Sequence, residues 1–121
     1  MRAADFLTEN TQRQVQKYVP WIAAELGLKS LPEIIYLSEP QGHSFGGYEP
    51  DTGTIKLVMG GRHVVDILRT LAHELVHYHQ HQSGQELDGD TGSDTENEAN
   101  AQAGIIMRDF AQHHPQALGL K

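Results

Sequence analysis

The chain has 121 residues, with 16 acidic and nine basic side chains, eight histidines and no cysteine. This length is typical of one domain with one hydrophobic core, since domains commonly have about 100–150 residues. The absence of cysteine excludes disulfides, thiolate metal sites and a cysteine nucleophile. The net charge of −7 argues against a nucleic-acid partner, because a face that binds nucleic acid is basic. We therefore expect residues 1–121 to form a single domain.

The sequence also argues against a membrane partner. It contains no apolar run near the roughly 20 residues that a helix needs to cross a bilayer. Its first residues lack the basic and then apolar order of a secretory signal. We therefore expect a soluble, cytoplasmic protein, located in the host cytoplasm if a phage encodes it. The oligomeric state is not predicted.

The first predicted elements are a helix and a strand. Apolar residues recur at helical spacing over residues 8–26, and Thr8 and Gly27 are the expected N-cap and stop. Pro20 lies within this pattern, which predicts either two short helices or one kinked helix. The β-branched and aromatic residues of Glu33–Leu37 then predict a strand.

A hairpin is predicted next. Residues 50–53, Pro-Asp-Thr-Gly, have the chemistry of a tight turn and separate two strand-like segments, 44–49 and 54–59. Gly46 and Gly47 weaken the first arm, which indicates a bulge or a place at a sheet edge. With the preceding strand, these segments predict a small, mostly antiparallel sheet of about three strands.

Two further helices are predicted after the hairpin. Apolar residues at three- and four-residue spacing indicate a long helix over residues 63–82. A polar, glycine-rich loop over residues 85–94 precedes a last helix that ends before Pro115. We expect this helix to begin near Thr95, because Thr95 and Glu98 form a capping-box pattern. The order of elements predicts an α+β fold, with the sheet packed on the long helix and the following helix.

The long helix carries the sequence His73-Glu74-Leu75-Val76-His77. Residues four apart lie about 6 Å apart along one helix face, so the two imidazoles can converge on one metal ion. Glu74 lies too far round the helix to be a comfortable ligand, but it can reach a water molecule on the metal and act as general base. A solvated, histidine-rich helix is the competing interpretation. The apolar residues between the two histidines favour the metal site.

A third protein ligand is needed for a catalytic zinc site, which keeps its fourth position open. Without cysteine, this ligand is a carboxylate or another histidine. Glu96 and Glu98 both fall in the first turn of the last helix. We favour Glu98, because the small residues Ala99 and Ala101 near it would let the two helices approach closely. Glu96 is expected to be a surface charge near the helix end, where the helix dipole favours it.

The motifs are similar to those of a known enzyme class. The HELVH sequence at residues 73–77, the Glu-Ala-Asn sequence at 98–100 and the Ala-Gly pair at 103–104 resemble those of a minimal gluzincin metallopeptidase. The nearest similarity is to the ImmA/IrrE-type peptidases and other small phage-encoded zincins. The order of elements over residues 34–110 also resembles that family. The resemblance implies a zincin-like domain that holds one Zn²⁺ ion, with Glu74 as the general base and with three ligands: His73, His77 and Glu98.

Two departures from related patterns are visible. Thermolysin-like members have an aspartate four residues after the ligand glutamate, where it orients a histidine, but Gln102 occupies that position here. We expect Gln102, Asn100 or a backbone carbonyl to orient His73 or His77 instead. The third histidine of metzincins is also absent after His77, so that branch is not indicated.

These features predict a zinc-dependent peptidase that acts on a peptide or protein substrate. Glu74 would accept a proton from the zinc-activated water and pass it to the leaving amine. The strand over residues 54–59 is the expected edge for an extended substrate. Four side chains are candidates for stabilising the oxyanion: His43, Tyr48, His81 and His113.

Two alternatives remain open. A non-catalytic, zinc-bound protein-interaction domain would normally close its metal site with four protein ligands, and only three convincing ones are visible. An amide hydrolase that acts on cell-wall peptides would need to be delivered by a phage, since no signal peptide is seen.

Overall fold

The structure is a computed structural model that describes residues 3–39, 45–87, 90 and 92–118. The described residues form three helices, three strands and a 3₁₀ turn, which confirms the predicted α+β class. None of these helices is both long and apolar enough to span a bilayer. The elements in chain order are α1 (Ala3–Glu25), β1 (Glu33–Leu37), β2 (Gly46–Glu49), β3 (Thr54–Val58), α2 (Val64–Gln82), α3 (Asp94–His113) and the 3₁₀ turn (Pro115–Leu118).

Helix α1 is continuous through Pro20 and is not divided into two short helices. Proline inside a helix removes one backbone hydrogen bond, and buried apolar neighbours such as Val19 and Ile22 offset that cost. The helix begins at Ala3, so the prediction of Thr8 as its N-cap is wrong. Its end is as predicted, because Gly27 adopts a φ of +67° that other residues rarely reach.

The strands form a mixed sheet in the order β1-β3-β2. β2 and β3 pair antiparallel across the predicted turn, whereas β1 runs parallel to β3. The sheet is therefore not mostly antiparallel. β3 occupies the centre and is the most buried of the three strands, with Ile55 and Leu57 fully buried. The expectation that residues 54–59 form an edge strand is wrong, and the glycine-containing β2 lies at an edge, as its weak sequence indicated.

Helix α2 packs against α1, α3, β2 and β3 and so lies at the centre of the fold. Its core-facing residues follow the predicted spacing, and Ile67, Leu71 and Leu75 are fully buried. Helix α3 lies beside it through the small buried residues Ala99 and Ala103. Close helix packing of this kind places side chains from the start of α3 beside those from the second half of α2.

The N-cap of α3 lies two residues before the predicted one. Ser93 is the N-cap, and its hydroxyl accepts a hydrogen bond of 3.3 Å from the backbone N–H of Glu96. Thr95, the predicted cap, is buried within the first turn. Glu96 therefore stands at the third helical position, where an acidic side chain is also favoured by the helix dipole. Glu96 thus occupies the position relative to the cap that the predicted capping box gave to Glu98.

Candidate metal centre

The two imidazoles of the HELVH sequence meet on one side of α2. The Nε2 atoms of His73 and His77 are 3.2 Å apart, and the rings are nearly perpendicular, at 84°. This is the convergence that the four-residue spacing predicts. His73, Glu74 and His77 offer ligand atoms that all lie within 4.8 Å of one another, so this group could hold a metal ion.

The carboxylate that touches both imidazoles belongs to Glu96. Its Oε2 lies 2.6 Å from His77 Nε2, and its Oε1 lies 3.2 Å from His73 Nε2. Zinc–ligand bonds of about 2.0–2.1 Å in a tetrahedral arrangement place neighbouring ligand atoms about 3.3 Å apart. The three donors thus lie close enough together to share one metal ion, and the contacts of Glu96 correct the expectation that it is a surface charge.

The carboxylate of Glu98 does not face the imidazoles. Its Oε1 accepts a hydrogen bond of 2.8 Å from Nε2 of Gln80. Side chains two residues apart leave a helix axis about 200° apart, so Glu96 and Glu98 cannot both meet the imidazoles. In the structure Glu96, and not the predicted Glu98, is therefore the glutamate of α3 that contacts both imidazoles.

Gln80 links Glu98 to His77. It is fully buried, and its Oε1 lies 2.8 Å from His77 Nδ1. Its Nε2 also donates to the backbone oxygen of Thr95 at 3.0 Å. The sequence analysis missed this residue, although its position three residues after His77 places both on one helix face. That spacing is the signal that could have found it.

A second polar contact orients His73. The side chain of Asn100 hydrogen-bonds to His73, as one of the expected options. Gln102, another option, is exposed and makes no hydrogen bond with a described residue. Burial and the neighbouring His77 lower the pKa of His73, against the opposing effects of Glu96 and Asn100. A lowered pKa favours the neutral imidazole, which is the form that binds metals.

Glu74 is the buried acid of the site. Only 8% of the residue is exposed, and its Oε1 lies 3.9 Å from His73 Nε2. Burial raises the pKa of Glu74 to about 7; the charge of Glu96 adds to this, while His77 and the backbone N–H of Tyr48 oppose it. A carboxyl group with a pKa near neutrality can both accept and return a proton.

Strand β2 forms one wall beside Glu74 and lies unusually close to α2. A Cβ atom on Gly46 would stand 2.6 Å from Cγ2 of Thr70, so only glycine fits there. Arg62 reinforces this contact by donating to the Thr70 hydroxyl at 2.6 Å and to two backbone carbonyls at 3.0 and 3.1 Å. The close approach brings the Tyr48 backbone within hydrogen-bond reach of Glu74.

Two of the four oxyanion candidates contact each other. Tyr48 Oη and His81 Nδ1 are 2.8 Å apart, and burial, with Tyr78 adding, raises the pKa of Tyr48 so that its hydroxyl stays protonated. His113 lies near the end of α3, where its Nδ1 is 2.8 Å from the backbone oxygen of Asp109. The remaining candidate, His43, lies outside the described residues.

An open cavity of about 520 Å³ adjoins His73 and Glu74. His73 and Glu74 form part of its lining, together with Arg69 from α2, Asn100 from α3 and Phe45 just before β2. The site is therefore accessible from one side to a molecule larger than water.

Comparisons with known proteins do not assign the chain to a family. The chain matches no protein-family model, no curated protein and no solved structure. The similarity to gluzincin peptidases is thus supported by the His73-Glu74-His77 group and its spacing alone.

Proposed function

We propose that the protein is a zinc-dependent peptidase that hydrolyses peptide bonds in a peptide or protein substrate. The observation that carries the proposal is the meeting of His73 Nε2, His77 Nε2 and the Glu96 carboxylate beside the buried carboxyl group of Glu74. Three protein ligands are typical of catalytic zinc, whereas structural zinc normally has four. The cavity on the same side supports access for a substrate.

The donor set supports zinc as the ion. Two imidazoles and one carboxylate, without a thiolate, are the ligands of many catalytic zinc sites. When bound, zinc supplies Lewis-acid chemistry toward water and a carbonyl oxygen. The lowered pKa of His73 keeps its nitrogen unprotonated and ready to bind the ion.

Glu74 carries the proton transfers in this proposal. Its carboxylate accepts a proton from the attacking water and then delivers that proton to the nitrogen of the leaving amine. Its raised pKa, about 7, allows both transfers near neutral pH. The hydrogen bond from the Tyr48 backbone fixes the direction in which the carboxyl group points.

Strand β2 is the proposed binding edge for the substrate, and the Tyr48–His81 pair is the proposed site that stabilises the oxyanion. β2 lies at an edge of the described sheet, which is the position from which an extended peptide can add as a further strand. The Tyr48 hydroxyl, kept protonated, is a hydrogen-bond donor that can stabilise an oxyanion.

A non-catalytic zinc domain is the second candidate, and one observation favours it. The Glu74 carboxylate belongs to the same group of ligand atoms within 4.8 Å, so it could serve as a fourth ligand that closes the site. A cytoplasmic location and a phage origin remain predictions of the sequence.

The Glu74→Gln substitution separates these two candidates. We expect the variant to keep one zinc ion per chain and to lose at least about 100-fold of its peptidase activity, because glutamine cannot accept the proton. Zinc content is measured by mass spectrometry of the metal, and cleavage by the new N-termini that appear in a mixture of unfolded proteins. Glu25→Gln, on the exposed end of α1, is the matched control and should change neither. Unchanged cleavage in Glu74→Gln would contradict the base assignment, and loss of zinc would favour the closed site.

A further inference from the structure

Both ends of the side-chain amide of the buried Gln80 make hydrogen bonds. At one end, Nε2 lies 3.0 Å from the backbone oxygen of Thr95 and 2.8 Å from Oε1 of Glu98. At the other end, Oε1 lies 2.8 Å from Nδ1 of His77. Gln80 itself has no exposed surface, so water does not reach its amide directly.

The chemistry of the two ends fixes the orientation of this amide. A glutamine NH₂ group only donates, and its carbonyl only accepts. The Thr95 carbonyl and the ionised Glu98 carboxylate can only accept, so the NH₂ group must face them. The carbonyl of Gln80 must then face His77. The bond from an amide to a carboxylate is charge-assisted, which makes Glu98 the stronger of the two anchors.

The orientation of Gln80 determines the tautomer of His77. Because a carbonyl only accepts, Nδ1 of His77 must carry the proton of the neutral ring. Nε2, the atom that lies beside Glu96 and His73, is then the ring nitrogen that is left for a metal ion. We infer that Gln80, held by Glu98, is a positioning residue that keeps His77 in the Nδ1–H tautomer and so presents Nε2 to a metal ion. This rests on the proposed metal role of His77 but not on peptide hydrolysis.

The tautomer can be read directly by NMR. In metal-free protein with ¹⁵N-labelled histidine at pH 8, long-range ¹H–¹⁵N spectra should show His77 with its proton on Nδ1. Gln80→Leu removes the acceptor and should populate the Nε2–H form, while the zinc dissociation constant rises about 10- to 100-fold. Gln102→Leu makes the same change on the exposed face of α3 and should leave the tautomer and the affinity unchanged.

A second variant keeps the inference testable if Gln80→Leu does not fold. Glu98→Ala alters an exposed residue and removes the stronger of the two anchors of the Gln80 amide, so some Nε2–H form of His77 and a weaker zinc affinity are expected. An Nε2–H tautomer in the wild-type protein would overturn the inference. So would an unchanged tautomer and zinc affinity in a folded Gln80→Leu or Glu98→Ala variant. Neither readout depends on a substrate, so a protein that failed to hydrolyse peptides would still give the answer.

A separate observation concerns the groove between α2 and α3. The cavity beside His73 adjoins a second open cavity of about 560 Å³, and Arg69 and Asn100 line both. Arg69 lies one turn before His73 on α2, and Arg108 lies two turns after Asn100 on α3. Arg69 thus lines both cavities and Arg108 lines the second, while His73 and Glu74 line the first. We call these two neighbouring cavities the groove.

Neither arginine side chain has a partner among the described residues, although the chain is rich in acids. The guanidinium groups of Arg69 and Arg108 make no hydrogen bond or ion pair with a described residue, and both residues are exposed, although the net charge of the chain is −7. Unpaired guanidinium groups in a groove attract carboxylates, which they bind with two parallel hydrogen bonds. The other residues that line the second cavity are uncharged: Val65, Asn100, Ala101, Gly104, Ile105, Met107 and Ala111.

We propose that Arg69 and Arg108 bind a carboxylate of the peptide substrate, carried by an acidic side chain or by the peptide C-terminus. This rests on the proposed peptidase function, because the groove leads to Glu74. The test uses the zinc-loaded Glu74→Gln protein, which should bind peptides without cleaving them. It is offered a random decapeptide library, once with free and once with amidated C-termini, and captured peptides are sequenced by mass spectrometry.

Captured peptides should be enriched at least about threefold in Asp and Glu, or in free C-termini, and high salt should reduce the enrichment. Enrichment that survives amidation assigns the carboxylate to a side chain, and loss on amidation assigns it to the C-terminus. Arg69→Glu and Arg108→Glu should abolish the enrichment, whereas Arg13→Glu on the exposed face of α1 should preserve it. Capture with no preference for carboxylates, or no capture at all, would overturn the proposal. Because binding is read without turnover, absence of hydrolysis in the wild-type protein would be a separate result.

Discussion

Glu96 and Glu98 stand two residues apart near the start of α3, and their carboxylates reach different partners. Glu96 contacts the Nε2 atoms of both histidines, at 2.6 and 3.2 Å. Glu98 contacts Gln80, which in turn contacts the Nδ1 atom of His77. One glutamate thus lies where a metal ion would bind, and the other lies behind a ligand that would bind it.

This arrangement predicts a clear order of effects on zinc binding. Glu96→Gln should weaken zinc binding by more than about 100-fold, because it removes a ligand, whereas Glu98→Gln should cost about 10-fold or less. A competition titration with a coloured zinc chelator measures both affinities. The two substitutions are matched in chemistry and differ by two positions. A larger loss in Glu98→Gln than in Glu96→Gln would restore Glu98 as the ligand.

The sequence predicted the meeting of His73 and His77 because their spacing depends only on helix geometry. It did not predict which glutamate meets them. The sequence at the start of α3 contains two overlapping capping-box patterns, Ser93 with Glu96 and Thr95 with Glu98. Local chemistry does not distinguish them, and the choice depends on packing against α2, which lies distant in sequence.

At the scale of the elements, the contact between β2 and α2 controls the position of the wall beside Glu74. Gly46→Ala would bring a Cβ atom 2.6 Å from Cγ2 of Thr70 and 3.3 Å from the backbone oxygen of Lys56. We expect a loss of about 1–3 kcal/mol in the free energy of unfolding, as is usual for overpacking. Urea denaturation measures it.

The neighbouring glycine provides the control for this substitution. A Cβ atom on Gly47 would meet nothing within 4 Å, so Gly47→Ala should leave the free energy of unfolding almost unchanged. Equal losses in the two variants would show that the close approach of β2 to α2 is not what limits residue 46 to glycine.

At the scale of the whole molecule, the candidate metal centre joins two helices. His73 and His77 belong to α2, and Glu96 belongs to α3, so a bound ion would connect the two helices.

An ion that binds only the folded state stabilises it by about 2.7 kcal/mol when its free concentration is 100 times the dissociation constant. The midpoint of thermal unfolding should therefore rise with zinc concentration, and Glu96→Gln should abolish most of the rise. Magnesium, which prefers six oxygen ligands, should have no effect. A rise that is the same in Glu96→Gln would place the zinc elsewhere.

Most of the fold could be predicted from local patterns, and the sheet order could not. The helices follow from apolar spacing, and the β2–β3 hairpin follows from its turn residues. The parallel pairing of β1 with β3 joins segments that no tight turn connects, so no local signal specifies it. Pro20 is a second feature whose outcome local sequence does not specify. It disfavours a continuous helix locally, but burial of the apolar residues around it stabilises α1 as one helix.

X-ray absorption at the zinc edge tests the central claim most directly. The zinc-loaded wild-type protein should show two imidazoles and one carboxylate among four N or O ligands at about 2.0–2.1 Å. Glu74→Gln should give the same spectrum, because the account assigns Glu74 to the proton and not to the metal. Loss of a carboxylate ligand in Glu74→Gln, or no loss in Glu96→Gln, would contradict the account.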